Sequence, residues 1–240
     1  MAFGWDIFGT RAIVTMVLTA VVSYLIGSIN SSIILSRAVS GKDIRESGSG
    51  NAGATNMLRT HGKKMGVITL LIDVAKGVIA VLLAVLAVKY YNSELAHKLW
   101  GSSDLNTWQQ LLNWISLPYI AGLFVILGHN FPLYFGFKGG KGVATSLGVV
   151  MMLDWKTGVM ILVIALIIMA VTRYVSLGSI ISGALFIILE VAHMFFDNDW
   201  NLVRLICVIL IGGLVIVRHH ANITRLLNGT ENKLGAKKKD

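Results

Sequence analysis

The chain has 240 residues, of which 55% are hydrophobic and only 14% charged, with a mean hydropathy of +0.72. A soluble domain carries about 25% charged residues, so a water-soluble globule is excluded. The net charge of +9, from 21 Lys and Arg against 12 Asp and Glu, has two available sources: basic loops held on one side of a membrane, or a site for anionic substrates. Cys207 is the single cysteine, which rules out an intramolecular disulfide.

Crossing about 30 Å of hydrocarbon takes about 20 apolar residues in a helix. In chain order, such stretches run over 12–35, 67–90 and 112–128, and again over 179–196 and 201–217. The first is too long for a signal peptide and has no small-residue cleavage site after it, so no cleavable leader is expected. Between 142 and 172 the apolar run is too long for one ordinary span, and Asp154, Trp155, Lys156 and Gly158 interrupt it. That pattern predicts two short helices around 143–172, each of about a dozen residues. Residues 91–111 read as a solvated connector.

Loop charges set the orientation. Fifteen of the 21 basic residues fall in loops at 36–66, 129–141 and 173–178 or in the tail from 218: Arg37, Lys42, Arg45, Arg59, Lys63, Lys64, Lys138, Lys141, Arg173, Arg218, Arg225, Lys233, Lys237, Lys238 and Lys239. Arg11, Lys89, Lys98, Lys156 and Arg204 fall on the other side, and Lys76 lies within a span. The basic side belongs in the cytoplasm. Six crossings would put the basic tail outside. The expectation is therefore an all-α integral membrane protein, a seven-helix bundle forming a single domain over 1–240, with its N-terminus outside and its C-terminus cytoplasmic.

Three cytoplasmic segments carry chemistry. The first runs from Asp43 to Arg59. Gly48, Gly50 and Gly53 let the backbone turn its N–H groups inward, and Ser49, Asn51, Thr55 and Asn56 add short polar contacts, as in a phosphate cradle. Arg45 and Arg59 flank the loop with guanidinium forks that match phosphate oxygens. The same glycines satisfy the dinucleotide fingerprint, but they follow a membrane helix rather than a strand, so that reading is rejected.

The second segment is Gly128-His129-Asn130-Phe131-Pro132 followed by Phe137-Lys138-Gly139-Gly140-Lys141-Gly142-Val143-Ala144-Thr145. Glycines and a cation just before a helix make an anion site. Phe135 and Gly142 stand where a Walker A loop needs Gly and Ser or Thr, which excludes that motif. Lys138 and Lys141 could instead snorkel at the interface, and His129 is either interfacial or functional. The third segment, Arg218 to Lys233, places His219 and Asn222 three residues apart, on one face if the last helix runs to Leu227.

Asp73 and Lys76 sit three apart within the second span, either as a structural ion pair or as functional charges. Ser176 reads as a helix N-cap.

Together these segments resemble the bacterial acyl-phosphate:glycerol-3-phosphate acyltransferases, the PlsY family. The resemblance is carried by Gly48-Ser49-Gly50-Asn51-x-Gly53-Ala54-Thr55-Asn56-x-x-Arg59, by Asp73-x-x-Lys76-Gly77 and by Gly128-His129-x-Phe131-Pro132. It also rests on Phe137-Lys138-Gly139-Gly140-Lys141-Gly142-Val143-Ala144-Thr145 and on His219-x-x-Asn222-Ile223-x-Arg225-Leu226. It covers nearly the whole chain, with the motifs in order. It implies a seven-helix enzyme of the bacterial inner membrane with a cytoplasmic site. The implied reaction is acyl transfer from acyl phosphate to the 1-hydroxyl of glycerol 3-phosphate, giving lysophosphatidic acid and phosphate.

The residue-level reading agrees. Ser49, Lys141, His219 and Asn222 are the expected catalytic residues. Arg45, Gly48, Gly50, Asn51, Gly53, Thr55, Asn56, Arg59, Lys138, Gly139, Gly140 and Ser176 are expected to bind substrate phosphate. No His is followed by Asp five residues on, and no G-x-S-x-G elbow or acidic metal-binding repeat occurs. No cofactor or metal is expected. The expected partners are glycerol 3-phosphate, acyl phosphate and the lipid bilayer, with no nucleic acid and no obligate protein partner. A phosphate-ester transporter is the rival class, but its site would lie near the midplane rather than on one face.

Overall fold

The computed structural model describes residues 3–91 and 116–235, among which every regular element is helical. In chain order they are α1 (Phe3–Ser28), α2 (Ser31–Ser40), α3 (Ala54–Tyr91), α4 (Leu117–Asn130), α5 (Val143–Leu153), α6 (Trp155–Thr172), α7 (Val175–Phe196), α8 (Leu202–Val217) and α9 (His220–Leu227). Single 3-10 turns lie at Ile44–Glu46 and Leu133–Phe135. Most of the expected connector at 91–111 lies outside the described residues, as do 112–115 of the third expected span and Lys237, Lys238 and Lys239.

Five stretches are long and apolar enough to cross a membrane: Ile13–Ser40, Ala54–Tyr90, Leu117–Phe135, Trp155–Thr172 and Val175–Phe196. Leu202–Val217 and His220–Leu227 make a sixth if taken together, though they bend by 52°. The short α5, at 11 residues, is only about 16 Å long.

The boundaries differ from the sequence reading in instructive ways. The expected span over 12–35 is broken at Ile29 and Asn30, because Asn30 caps α2 by accepting the Ile33 N–H at 3.2 Å and the Ser32 hydroxyl at 2.7 Å. The two short helices expected around 143–172 are unequal. Asp154 makes the break and caps α6, accepting from Lys156 N at 3.0 Å and from the Thr157 hydroxyl at 2.6 Å. Gly158 does not interrupt: it lies inside the 18-residue α6, where its missing side chain makes room for Met151. In α3, by contrast, Gly62 breaks the helix with φ 82°, separating a surface turn at 54–61 from the long span.

Small residues bring the helices together. A Cβ on Gly148 would collide with the Val74 carbonyl, so α5 lies directly against α3, and one on Gly27 would collide with the Val125 carbonyl between α1 and α4. Val81, Ala121, Val125, Val149 and Val208 form a fully buried centre. Leu71, Leu86, Ile167 and Ile188 stay exposed on the outer surface, as suits helices facing hydrocarbon. α5 shares its Asp154 end with α6 and is about 10 Å shorter; the candidate site lies in the recess at the Gly142 end of α5.

Candidate functional site

The first wall is the loop after α2. Asp43 caps the 3-10 turn by accepting from Arg45 N at 3.0 Å, and its carboxylate also takes Arg45 Nε at 3.0 Å and Nη2 at 2.8 Å. Arg37 Nη2 reaches it at 2.7 Å. Hydrogen bonds from Arg45 hold the Asp43 carboxyl at about 2. Arg45 Nη1 then crosses to the carbonyls of Phe135 at 2.8 Å and Lys138 at 3.0 Å. Arg45 therefore joins the two glycine-rich segments, with one Nη2 hydrogen left over. Asn56 is buried and organises the loop from inside: its Oδ1 accepts Ser49 N at 2.9 Å, and its Nδ2 donates to Ile44 O at 3.2 Å and Ser47 O at 2.9 Å.

The second wall is the Gly-Gly-Lys-Gly run. Gly139 N donates to Asn130 O at 3.1 Å and Gly140 N to His129 O at 3.2 Å. These two N–H groups, expected to face an anion, are consumed in folding the loop back on α4. A Cβ on Gly140 would strike His129 Nε2. Arg218 fixes the other side of the run, donating to Gly140 O through Nε at 3.2 Å and Nη2 at 3.0 Å, with its guanidinium 5.1 Å from the Phe131 ring centre. The free N–H groups here belong to the first turn of α5, as at any helix start.

Lys141 joins the second wall to α9. Its ammonium donates to Asn222 Oδ1, and the other two hydrogens have no acceptor among the described residues. Asn222 Nδ2 donates in turn to Glu231 Oε1 at 2.7 Å. Ser176 Oγ shares that oxygen at 2.9 Å, and Arg225 Nε takes Oε2 at 2.7 Å. Burial pushes Glu231 up, but the bonds from Arg225, Asn222 and Ser176 outweigh it and hold the carboxyl below its ordinary range. Burial lowers Lys141 to about 8; Glu231 works against that, while Arg225, Arg59 and Arg218 add to it. Lys141 thus shares its surroundings with three arginines and one carboxylate.

His219 lies at the bend between α8 and α9 rather than on a continuous helix. Its Nδ1 stands 2.6 Å from Val215 O. A carbonyl only accepts, so the proton is on Nδ1 and Nε2 carries a bare lone pair. Ser176 is not an N-cap: α7 starts one residue earlier, at Val175, with Tyr174 as the cap. Ser176 is free to hold Glu231 instead.

The charges within the span resolve into a closed cluster. Lys76 Nζ lies 3.0 Å from Asp73 Oδ1 and 2.8 Å from His129 Nδ1, and donates to the carbonyls of Gly27 and Ile29, both at 3.1 Å. Ser31 Oγ donates to Asp73 at 2.9 Å. Lys76 thus caps the carbonyls left open by the α1–α2 break.

The expected site residues separate by their partners. Arg45, Asn56 and Ser176 are largely spent on the protein. The side chains of Ser49, Asn51, Thr55, Arg59 and Lys138 have no hydrogen-bond partner among the described residues, and of these Arg59 lies close enough to Lys141 to act on its charge. The sequence reading did not single out Glu231, Arg218 or Asn130. Asn130 is fully buried, and neither of its amide atoms has a partner. Glu231 stands 55 positions from Ser176, and no local pattern joins them.

A family model described as glycerol-3-phosphate acyltransferase matches residues 17–229. The glycerol-3-phosphate acyltransferase of Clostridioides difficile (strain 630) is 42% identical over 226 residues, spanning 94% of this chain and 98% of that protein. That of Thermoanaerobacter pseudethanolicus is 41% identical over 222 residues, 92% and 96% of the two chains. Among solved structures, the chain is similar to PlsY (YgiH), an integral membrane glycerol 3-phosphate acyltransferase, in its glycerol 3-phosphate form. The identity is 36% and the TM-score 0.72, covering 92% of this chain and 96% of that one. The lysophosphatidic acid form gives 35% and 0.68, covering 92% and 95%.

Proposed function

The chain belongs to the glycerol-3-phosphate acyltransferase family, and we propose that it takes its acyl group from acyl phosphate, without coenzyme A, acyl carrier protein, metal or a covalent acyl-enzyme. The 1-hydroxyl oxygen of glycerol 3-phosphate attacks the acyl carbonyl carbon. The bond from that carbon to the phosphate oxygen breaks, and lysophosphatidic acid and inorganic phosphate leave. The hydroxyl proton passes to His219 Nε2 or to a substrate phosphate, whose second pKa near 6 suits it as an acceptor.

The observation that carries this reading is Lys141. It is tied to the fold by one hydrogen, with two left over, inside a recess ringed by Arg59, Arg218 and Arg225. Both substrates are phosphates, and the long acyl chain would lie among the helices while its head reaches the recess. Ser49, Asn51, Thr55, Arg59 and Lys138 supply unspent donors. Asn222 positions Lys141, and Arg45, Asn56 and Ser176 hold the walls. A mixed anhydride has a good leaving group already, so positioning and charge stabilisation suffice without a protein nucleophile.

The decisive assay uses the detergent-purified chain with labelled glycerol 3-phosphate and either palmitoyl phosphate or palmitoyl-CoA. Product with the acyl phosphate alone, retained in a chelator, is expected; equal rates with the CoA ester would overturn the donor. An acylated Ser49 or Ser176 detected by intact mass would overturn direct transfer.

The same reading takes the chain as a single domain over 1–240 in the bacterial inner membrane, with seven crossings, α5 included, and the recess facing the cytoplasm. Neither a protein partner nor nucleic acid is required. Cysteines placed at Gly50, Lys141 and Asn222 should resist an impermeant reagent in intact cells, and ready labelling of one would break the topology.

A further inference from the structure

At the end of the bundle remote from the recess, the start of α6 and the C-terminal part of α7 bring three ligating side chains together. Asp154 is the cap of α6, and Glu190 and His193 lie one turn apart on α7. One ligand atom from each lies within 4.8 Å of the other two. His193 Nδ1 and Asp154 Oδ2 are 3.5 Å apart. Two atoms at that spacing, each bonded at about 2.1 Å to one ion, subtend about 110°, the tetrahedral angle of a zinc-type site.

Glu190 supplies the independent indication. It is fully buried. Its Oε2 is occupied, accepting Arg204 Nη2 at 2.9 Å and the Tyr119 hydroxyl at 2.9 Å, while its Oε1 is buried without any partner. A carboxylate oxygen left bare in the interior is costly, and a cation beside it removes that cost. Asp154 is held in place for the same role, since Lys156 N donates to its Oδ1 at 3.0 Å and the Thr157 hydroxyl to its Oδ2 at 2.6 Å. Such outer bonds orient metal ligands. The His193 side chain is 42% exposed, so water can reach the ion and complete the tetrahedron.

We propose that Asp154, Glu190 and His193 form a binding site for a divalent cation of the zinc class at this end of the bundle. One imidazole and two carboxylates suit Zn2+, whereas Ca2+ demands six to eight oxygens. The ion would clasp the α5–α6 turn to α7, and through Glu190 and Arg204 to α8. Its role is therefore to secure the helices at the far end from the acyl-transfer recess.

The test uses the full chain, free of any tag, purified in detergent and stripped with a chelator before desalting. Titration with Zn2+ should show one saturable site by calorimetry and raise the midpoint of thermal unfolding. His193→Gln and Asp154→Asn should each weaken Zn2+ binding tenfold or more and remove the thermal shift. Glu190→Gln is avoided because it also disturbs Arg204. Independently of any variant, Zn2+ should protect His193 of the unmodified chain from diethyl pyrocarbonate, as read by mass spectrometry. Absence of saturable binding, unchanged affinity in both variants, or full modification of His193 in saturating Zn2+ would each overturn the site.

Discussion

Two lysines in this molecule look alike in sequence, each beside glycine, and the structure gives them opposite surroundings. Lys76 faces Asp73, His129 and two backbone carbonyls, so its three hydrogens are saturated by protein. Lys141 donates to Asn222 and keeps two hydrogens unspent. Both are substantially removed from water, yet only Lys141 opens onto the recess. Burial alone therefore does not mark a functional cation. In the function proposed above, the number of donors left over does.

The largest expected effect comes from breaking the saturated partner. Lys76→Met leaves Asp73 buried without its lysine counter-charge, held only by Ser31 and His129, and the carbonyls of Gly27 and Ile29 uncapped. That should cost about 3–5 kcal/mol of stability, seen as loss of monodisperse protein in detergent and a much lower unfolding midpoint. If Lys76→Met instead folds normally and only loses turnover, Lys76 is not a structural residue and the contrast fails. Lys141→Ala should do the reverse. Removing charge-assisted bonds to a phosphate costs about 2 kcal/mol or more of transition-state stabilisation, about thirtyfold in kcat/KM, with the unfolding midpoint nearly unchanged. Wild-type activity in that variant would remove Lys141 from the site.

Much of this arrangement was legible in the sequence, for identifiable reasons. Long apolar runs report helices in lipid because backbone groups there must be satisfied within the helix, and the motifs in the polar segments between them report the family. What the sequence hid depends on distant pairing. Asn30 lies with Ser28, Ser31 and Ser32 inside the apolar stretch 12–35, and the break there shows only once its side chain is seen capping α2. Gly139 and Gly140 read as free N–H donors until Asn130 and His129 are found to accept them. Ser176 reads as a cap, and only the return of the tail, bringing Glu231 beside α7, reveals its partner. Glu190 and His193 stand one helical turn apart in sequence, but only the fold brings Asp154 beside them.

Glu231 offers a smaller and sharper test of how Lys141 is tuned. Glu231→Gln removes the carboxylate that anchors Asn222 and Ser176 and opposes the effect of burial on Lys141. A loss of about tenfold in kcat/KM at pH 7 is expected, about 1.4 kcal/mol. The pH profile carries the distinguishing sign. Lys141 must be protonated to hold a phosphate, so activity should fall as pH rises through about 8. In Glu231→Gln that limb should move to lower pH, and in Lys141→Arg it should vanish, because a guanidinium stays charged. A limb that stays put in both variants would show that another group sets it.

The smallest effect should come from Asp43, which touches the site only through Arg45. Its carboxyl stands at about 2 in the folded protein, against about 3.9 in an unfolded chain. A depressed carboxylate contributes stability that is present above about pH 4 and disappears as pH falls toward 2. Arg37 is 53% exposed, so solvent screens part of the attraction and the contribution is about 1 kcal/mol. Asp43→Asn should therefore lower the unfolding midpoint by a few degrees at pH 7, and the gap to wild type should close as the pH is taken from 4 to 2. A gap that persists at pH 2 would assign the loss to loop packing rather than to charge. Turnover separates the two uses of Arg45. Its bridge to the carbonyls of Phe135 and Lys138 does not need Asp43, so a purely structural arginine leaves kcat/KM close to wild type. A fall in KM for glycerol 3-phosphate in Asp43→Asn would instead mean that the released guanidinium hydrogens have found the substrate.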